Sequence, residues 1–111
     1  MKQFKIVIKA IIDSNGGDID NEDLYLDIKP EDDCVEDLSI ERQNDELIVC
    51  QYHTQRGDLM RDPEVRFDIS DESWTVIEYR NDPHTHQVDS SGLDIDDFLT
   101  LWATNLENQF L

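Results

Sequence analysis

Two apolar stripes of helical period bracket a middle in which apolar residues recur at every second position, and no other feature limits the fold as strongly. Phe4, Val7, Ile8, Ile11 and Ile12 stand at i, i+3, i+4, i+7 and i+8, the spacing of one helix face. Lys2, Lys5 and Lys9 fall off that face, and Gly16-Gly17 supplies the stop. Phe4 to Lys9 also alternates in part like a strand; the reading here is helix. Near the other end Ile95, Phe98, Leu99, Trp102 and Leu106 mark a second buried stripe, opening near Asp94.

Between the stripes the period is two. Leu24, Leu26 and Ile28 alternate with Tyr25 and Asp27, and that strand ends at Lys29-Pro30. Leu38 and Ile40 belong to the next strand, Gln43-Asn44-Asp45 has hairpin-turn chemistry, and Glu46 to Thr54 is the most apolar and central strand. Val65, Phe67 and Ile69 form another, and Trp74, Val76, Ile77 and Tyr79 the last. Asp58 to Glu64 reads as a loop, and Asp82 to Gly92 as a long polar connection. The order predicts a single α+β domain over residues 1–111, an antiparallel sheet of about five strands with an N-terminal and a C-terminal helix on one face. A chain of 111 residues can bury a core without disulfide or metal. Cys34 and Cys50 could pair, but two buried reduced thiols are expected.

The composition is strongly acidic. There are 27 Asp and Glu against 9 Lys and Arg, a formal charge of −18, and aspartates outnumber glutamates 18 to 9. The imbalance is uneven: residues 1–12 carry +3, residues 13–46 carry −12 and residues 47–111 carry −9. Such a surface excludes phosphate-backbone binding and adsorption to an anionic membrane. No apolar run approaches about 18 residues, so no spanning helix is expected. Lys2, Lys5 and Lys9 precede no small-residue cleavage site, so no signal peptide is expected and the cytoplasm is the expected location.

Three readings of the charge compete. Disorder fits poorly with 38% apolar residues arranged in periodic segments. Adaptation to molar salt fits the physics of screening: a sphere of about 17 Å radius with this charge has a charging energy of about 15 kcal/mol at 0.1 M salt and about 6 at 1 M, both upper bounds. The acid-rich, lysine-poor composition resembles that of haloarchaeal proteins. The third reading is an acidic face that imitates DNA phosphates and occupies the basic groove of a DNA-binding protein. Asp18, Asp20, Glu22, Asp23, Glu31, Asp32 and Asp33 are the candidate partner-binding carboxylates on that reading.

Gln55-Arg56-Gly57-Asp58-Leu59-Met60-Arg61-Asp62-Pro63-Glu64, preceded by Tyr52-His53, is followed downstream by Trp74, by Tyr79-Arg80-Asn81-Asp82 and by Trp102, Asn105-Leu106 and Gln109-Phe110. Over roughly residues 36–111 this resembles an uncharacterised small domain family of phage, plasmid and other mobile-element proteins, with a Q-x-G-D-L-M-x-D-P-E turn and a C-terminal W-x-x-N-L-x-x-Q. The chain departs from it at Phe110-Leu111 and in Asp82-Pro83-His84-Thr85-His86. The resemblance implies no defined activity; it implies a mobile-element or viral setting.

Few constellations carry chemistry. Asp58, Asp62 and Glu64 are three carboxylates within seven residues, an oxygen-rich run without EF-hand spacing. His84-x-His86, with His53 and Asp82, has the donor types of a transition-metal site. The candidate metal ligands are therefore Asp58, Asp62, His84 and His86, each set against a structural reading as turn or surface residue. Cys50-x-x-His53 puts its two side chains on opposite faces of a strand, so Cys50 is expected in the core rather than as a nucleophile. Phosphate loops, nucleophile elbows and Cys-x-x-Cys pairs are lacking. No enzyme activity and no cofactor are expected. The expectation is a protein acting through protein contacts, with a basic host protein as partner; the alternatives are a DNA-mimic inhibitor of a host nucleic-acid-binding protein and a metal-binding module or metal-assisted hydrolase.

Overall fold

A computed structural model describes all of residues 1–111. Helix α1 (Lys2–Ser14) is followed by strands β1 (Tyr25–Ile28), β2 (Asp37–Gln43), β3 (Glu46–Gln55), β4 (Asp58–Asp68), β5 (Thr75–Asn81) and β6 (Thr85–Val88), and by helix α2 (Asp96–Phe110). The six strands pair antiparallel in chain order, β1-β2-β3-β4-β5-β6. The radius of gyration is 13.3 Å, close to the about 13 Å of a compact chain of this length.

The α+β reading holds, with one strand more than the sequence suggested. Thr85–Val88 of the polar Asp82–Gly92 connection pairs with β5, from Glu78 opposite Val88 to Asn81 opposite Thr85. Its residues are exposed or half-buried, so no apolar alternation announced it. The Asp58–Glu64 segment is likewise no loop but the first half of β4: Gln55 pairs with Asp58, Thr54 with Leu59 and His53 with Met60. The turn is tighter than expected because Arg56 and Gly57 both take positive φ, 54° and 84°, the geometry of a two-residue hairpin loop. Ile69 lies just past β4, where its N–H donates to Asp45 O at 2.8 Å.

Both helices lie on one sheet face. Phe4, Val7, Ile8, Ile11 and Ile12 of α1 are buried to within 1%, as the stripe predicts. In α2 the buried residues are Leu99, Trp102, Ala103 and Leu106, with Ile95 and Phe98 packed at the rim. They meet Leu38, Ile40, Leu47, Val49, Val65, Phe67 and Val76 of the sheet in one cluster. A chain of aromatic rings crosses it from Trp74 through Phe67, Phe4, Trp102 and Phe98 to Tyr79, with centroids 5.2 to 5.7 Å apart. Each such pair adds about 0.5–1.5 kcal/mol beyond area burial. Helix α1 ends as a Schellman motif: Gly17 N–H donates to Ile12 O at 2.9 Å and Gly16 N–H to Asp13 O at 3.2 Å, with Gly16 at φ 76°.

Two irregularities set which side chains face which way. Between β3 and β4 the register shifts: Cys50 pairs with Glu64 and Tyr52 with Arg61, so Asp62 and Pro63 together oppose Gln51. Proline has no N–H to give to the ladder, which is why a bulge sits there. A second shift, between Arg66 and Phe67, leaves Ile77 of β5 as the extra residue. Cys50 is 6% exposed, but it lies outside the helix-covered cluster. It is buried as expected, though on the open side of the sheet, in one row with Ser39 and Glu64; Cys34, expected to be buried as well, is exposed on the β1–β2 loop.

Candidate functional site

Alternation along β3 sorts the polar residues into two faces. On the open face, away from the helices, the cations are consumed in ion pairs. Arg66 reaches Glu46 at 2.8 Å and Glu78 at 3.1 Å, and Glu78 in turn meets His86 Nε2 at 2.6 Å. Arg61 pairs with Glu64 at 3.6 Å and Asp82 at 3.2 Å, and Arg80 Nε stands 3.9 Å from Asp82. Lys29 bonds Asp37, and the Tyr52 hydroxyl donates to Asp27 at 2.6 Å. His86 holds the Glu78 carboxyl below its usual range, and the Arg61 backbone amide, followed by the Arg61 side chain, does the same for Asp82. Burial, reinforced by the Glu64 carboxylate, pushes the Cys50 thiol up to about 12. That thiol stays protonated at neutral pH and is a poor nucleophile, in keeping with its separation from His53.

The seven candidate partner carboxylates lie elsewhere. Asp18, Asp20, Glu22 and Asp23 are on the α1–β1 loop and Glu31, Asp32 and Asp33 on the β1–β2 loop, so they flank the two ends of edge strand β1. All seven are exposed, and none is joined to a Lys, Arg or His. Asp18 and Asp32 also have a local duty, each accepting the amide two residues ahead, from Asp20 at 2.9 Å and from Cys34 at 2.8 Å. Asp68, Asp71 and Asp89 do the same in other turns. This Asx chemistry suits aspartate, whose side chain is one methylene shorter than glutamate's, and it accounts for part of the aspartate excess. Charge at both ends of a four-residue edge strand also hinders pairing with another sheet.

The four candidate metal ligands do not converge. Asp58 is exposed at the β3–β4 turn, His84 is exposed on the β5–β6 turn, and His86 is occupied by Glu78. Asp82 is held by Arg61. Only Asp62 of the set belongs to a group of three potential ligands, and the other two are His53 and Glu36. One ligand atom from each of Glu36, His53 and Asp62 lies within 4.8 Å of the others, and His53 Nδ1 is 3.3 Å from Glu36 Oε2. Partial burial pushes the Glu36 carboxyl above the ordinary carboxylate range; His53 opposes that rise and Asp62 adds to it. The grouping escapes sequence inspection because Glu36, His53 and Asp62 stand 17 and 9 residues apart. Glu36 comes from the residue before β2, and Asp62 is aimed by the bulge opposite Gln51.

No helix is long and apolar enough to cross a membrane. A family described as a domain of unknown function (DUF6908) matches over residues 6–111. No curated protein matches the chain, and no solved structure does.

Proposed function

We propose that this chain, which belongs to the DUF6908 family, is a small acidic, non-enzymatic domain that acts by contact with a basic protein, through the carboxylates that flank β1. The observation that carries the reading is their freedom: seven exposed acids without a cationic partner, in a molecule whose Arg61, Arg66 and Arg80 are all committed to the opposite charges of the open sheet face. Unpaired exposed charge steers encounter and selects the partner at no cost to an existing pair. A cytoplasmic setting in a halophilic archaeon, or in a virus or plasmid of one, accords with the composition and with the resemblance carried by Gln55–Glu64. A narrower form of the proposal makes the partner a nucleic-acid-binding protein whose basic groove takes the acids in place of phosphates.

The test is affinity capture from lysate of the source organism at low and high salt with three baits. These are the wild type, a variant with all seven acids changed to Asn or Gln, and a control neutralised at an equal number of other exposed acids, among them Asp13, Asp58, Glu72 and Glu107. The expected result is a basic partner held by wild type and control and lost from the first variant. Retention by that variant overturns the proposal.

A further inference from the structure

We propose that Glu36, His53 and Asp62 form a binding site for one divalent first-row transition-metal ion, of the zinc class, built from none of the seven carboxylates of the acidic contact surface. Three features of the geometry lead there. The donors are an imidazole nitrogen and two carboxylates, a mixed set that suits borderline ions rather than Ca²⁺ or Mg²⁺. They come from three separate stretches of chain, the start of β2, the interior of β3 and the β4 bulge, so the sheet itself holds them together. Neither carboxylate has a Lys or Arg within ion-pair distance: Arg61, next in sequence to Asp62, turns to Glu64 and Asp82, and Lys29 to Asp27 and Asp37. Two carboxylates placed together with only an imidazole between them are a poor arrangement for structure alone and a good one for a cation.

The distances permit it. Ligand atoms about 2.0–2.2 Å from a tetrahedral ion lie about 3.3–3.6 Å apart. His53 Nδ1 and Glu36 Oε2 already stand at 3.3 Å, and the trio as a whole is within 4.8 Å, so side-chain adjustment of about 1 Å completes the set. His53 and Glu36 also line a surface cleft of about 310 Å³ with Asp33, Cys34, Val35, Asp37 and Tyr52, which leaves water or a further ligand access to the remaining coordination positions. On binding, His53 coordinates through the Nδ1 lone pair with its proton on Nε2. Both carboxylates bind deprotonated, and any proton the three groups held is released to solvent.

Calorimetric titration of the Cys34→Ser protein with Zn²⁺ in 0.5 M KCl tests the site; the serine removes the exposed thiol of the same cleft, which would bind zinc by itself, and the salt weakens diffuse binding to the acidic surface. The expected result is one equivalent bound in preference to Mg²⁺, with affinity reduced at least about tenfold by His53→Gln and by Glu36→Gln and unchanged by His86→Gln. Circular dichroism of each variant checks its fold. Imidazole nitrogen shifts in the unsubstituted protein give a second readout: Zn²⁺ is expected to move His53 Nδ1 and leave His84 and His86 in place. Absence of stoichiometric binding, equal affinity in His53→Gln, or a shift confined to His84 and His86 overturns the proposal. None of these variants changes any of the seven carboxylates of the acidic contact surface, so the capture experiment with the seven-acid variant is decided separately.

Discussion

Trp102 Nε1–H donates to Gln51 Oε1 at 2.8 Å, and the other end of the same amide donates to Gln109 Oε1 at 3.0 Å. Gln51 is the one polar residue among the buried side chains with a place on the helix-covered face, at 7% exposure, and both ends of its amide are satisfied by α2. The β3–β4 bulge stands opposite it, so the irregular point of the sheet is also where the C-terminal helix is pinned. Gln51→Leu removes the acceptor and leaves a buried indole N–H unpaired. The expected loss is about 1–3 kcal/mol in urea unfolding, with a smaller loss for Gln109→Ala, whose side chain is only half-buried.

Gly17 answers to space rather than to backbone angle. A Cβ there meets Leu24 Cδ1 at 3.0 Å, Ile12 Cγ2 at 3.1 Å and Leu26 Cδ1 at 3.3 Å. Gly17→Ala is expected to lower stability by about 1–3 kcal/mol through overpacking. Gly16→Ala, with nothing within 4 Å of its Cβ but φ at 76°, is expected to cost about 1 kcal/mol for the left-handed backbone. Denaturant midpoints of the two variants separate these causes.

The Glu78 carboxyl is held below its ordinary value by His86 and then by Arg66. A folded value below the unfolded one means that the unfolded chain binds more protons as the pH drops. The stabilisation is therefore present above the ordinary glutamate value of about 4.3 and disappears as the pH falls through the folded value. Glu78→Gln is expected to be less stable than wild type at pH 7, with the gap closing as the pH falls below the ordinary glutamate value of about 4.3. Urea titrations of both proteins across that range measure it, and a gap independent of pH would refute the assignment.

Salt should stabilise the whole molecule. If a third of the drop in charging energy between 0.1 and 1 M survives subtraction of the unfolded chain, about 3 kcal/mol is gained, a rise in Tm of about 10 °C or more. Melts followed by circular dichroism at 0.1, 1 and 3 M KCl test this. A fold present only at molar salt assigns the acidity to the solvent environment. A cooperative melt unchanged from 0.1 M upward contradicts the self-repulsion argument and leaves the charge to the contact surface.

Wherever burial imposes a period, the fold was legible in the sequence. Val7 and Ile12 declared α1, and Leu38, Ile40, Leu47 and Val49 declared the central strands, because one face of each had to be apolar. β6 was not legible, since a short edge strand with exposed side chains obeys no such rule, and its pairing depends on backbone groups common to every sequence. Asp58 to Glu64 resembled a loop because its acids and Pro63 are poor strand formers, and ladder pairing with β3 overrides that local preference. The grouping of Glu36, His53 and Asp62 was illegible for a related reason. Proximity in sequence suggested His84 with His86, whereas the sheet brings together His53, Asp62 and Glu36 through a register that no local motif encodes.

The contact between Phe4 and Trp102, centroids 5.2 Å apart, has a consequence for biosynthesis. The strands pair only with their sequence neighbours, so the meander can zip up hairpin by hairpin as it leaves the ribosome. The apolar face of α1 is made before the sheet, yet part of what covers it belongs to α2, the last of these elements. Until α2 has been made, the nascent chain carries an uncovered greasy surface, and its dense negative charge is then what keeps neighbouring polypeptides apart on the same polysome.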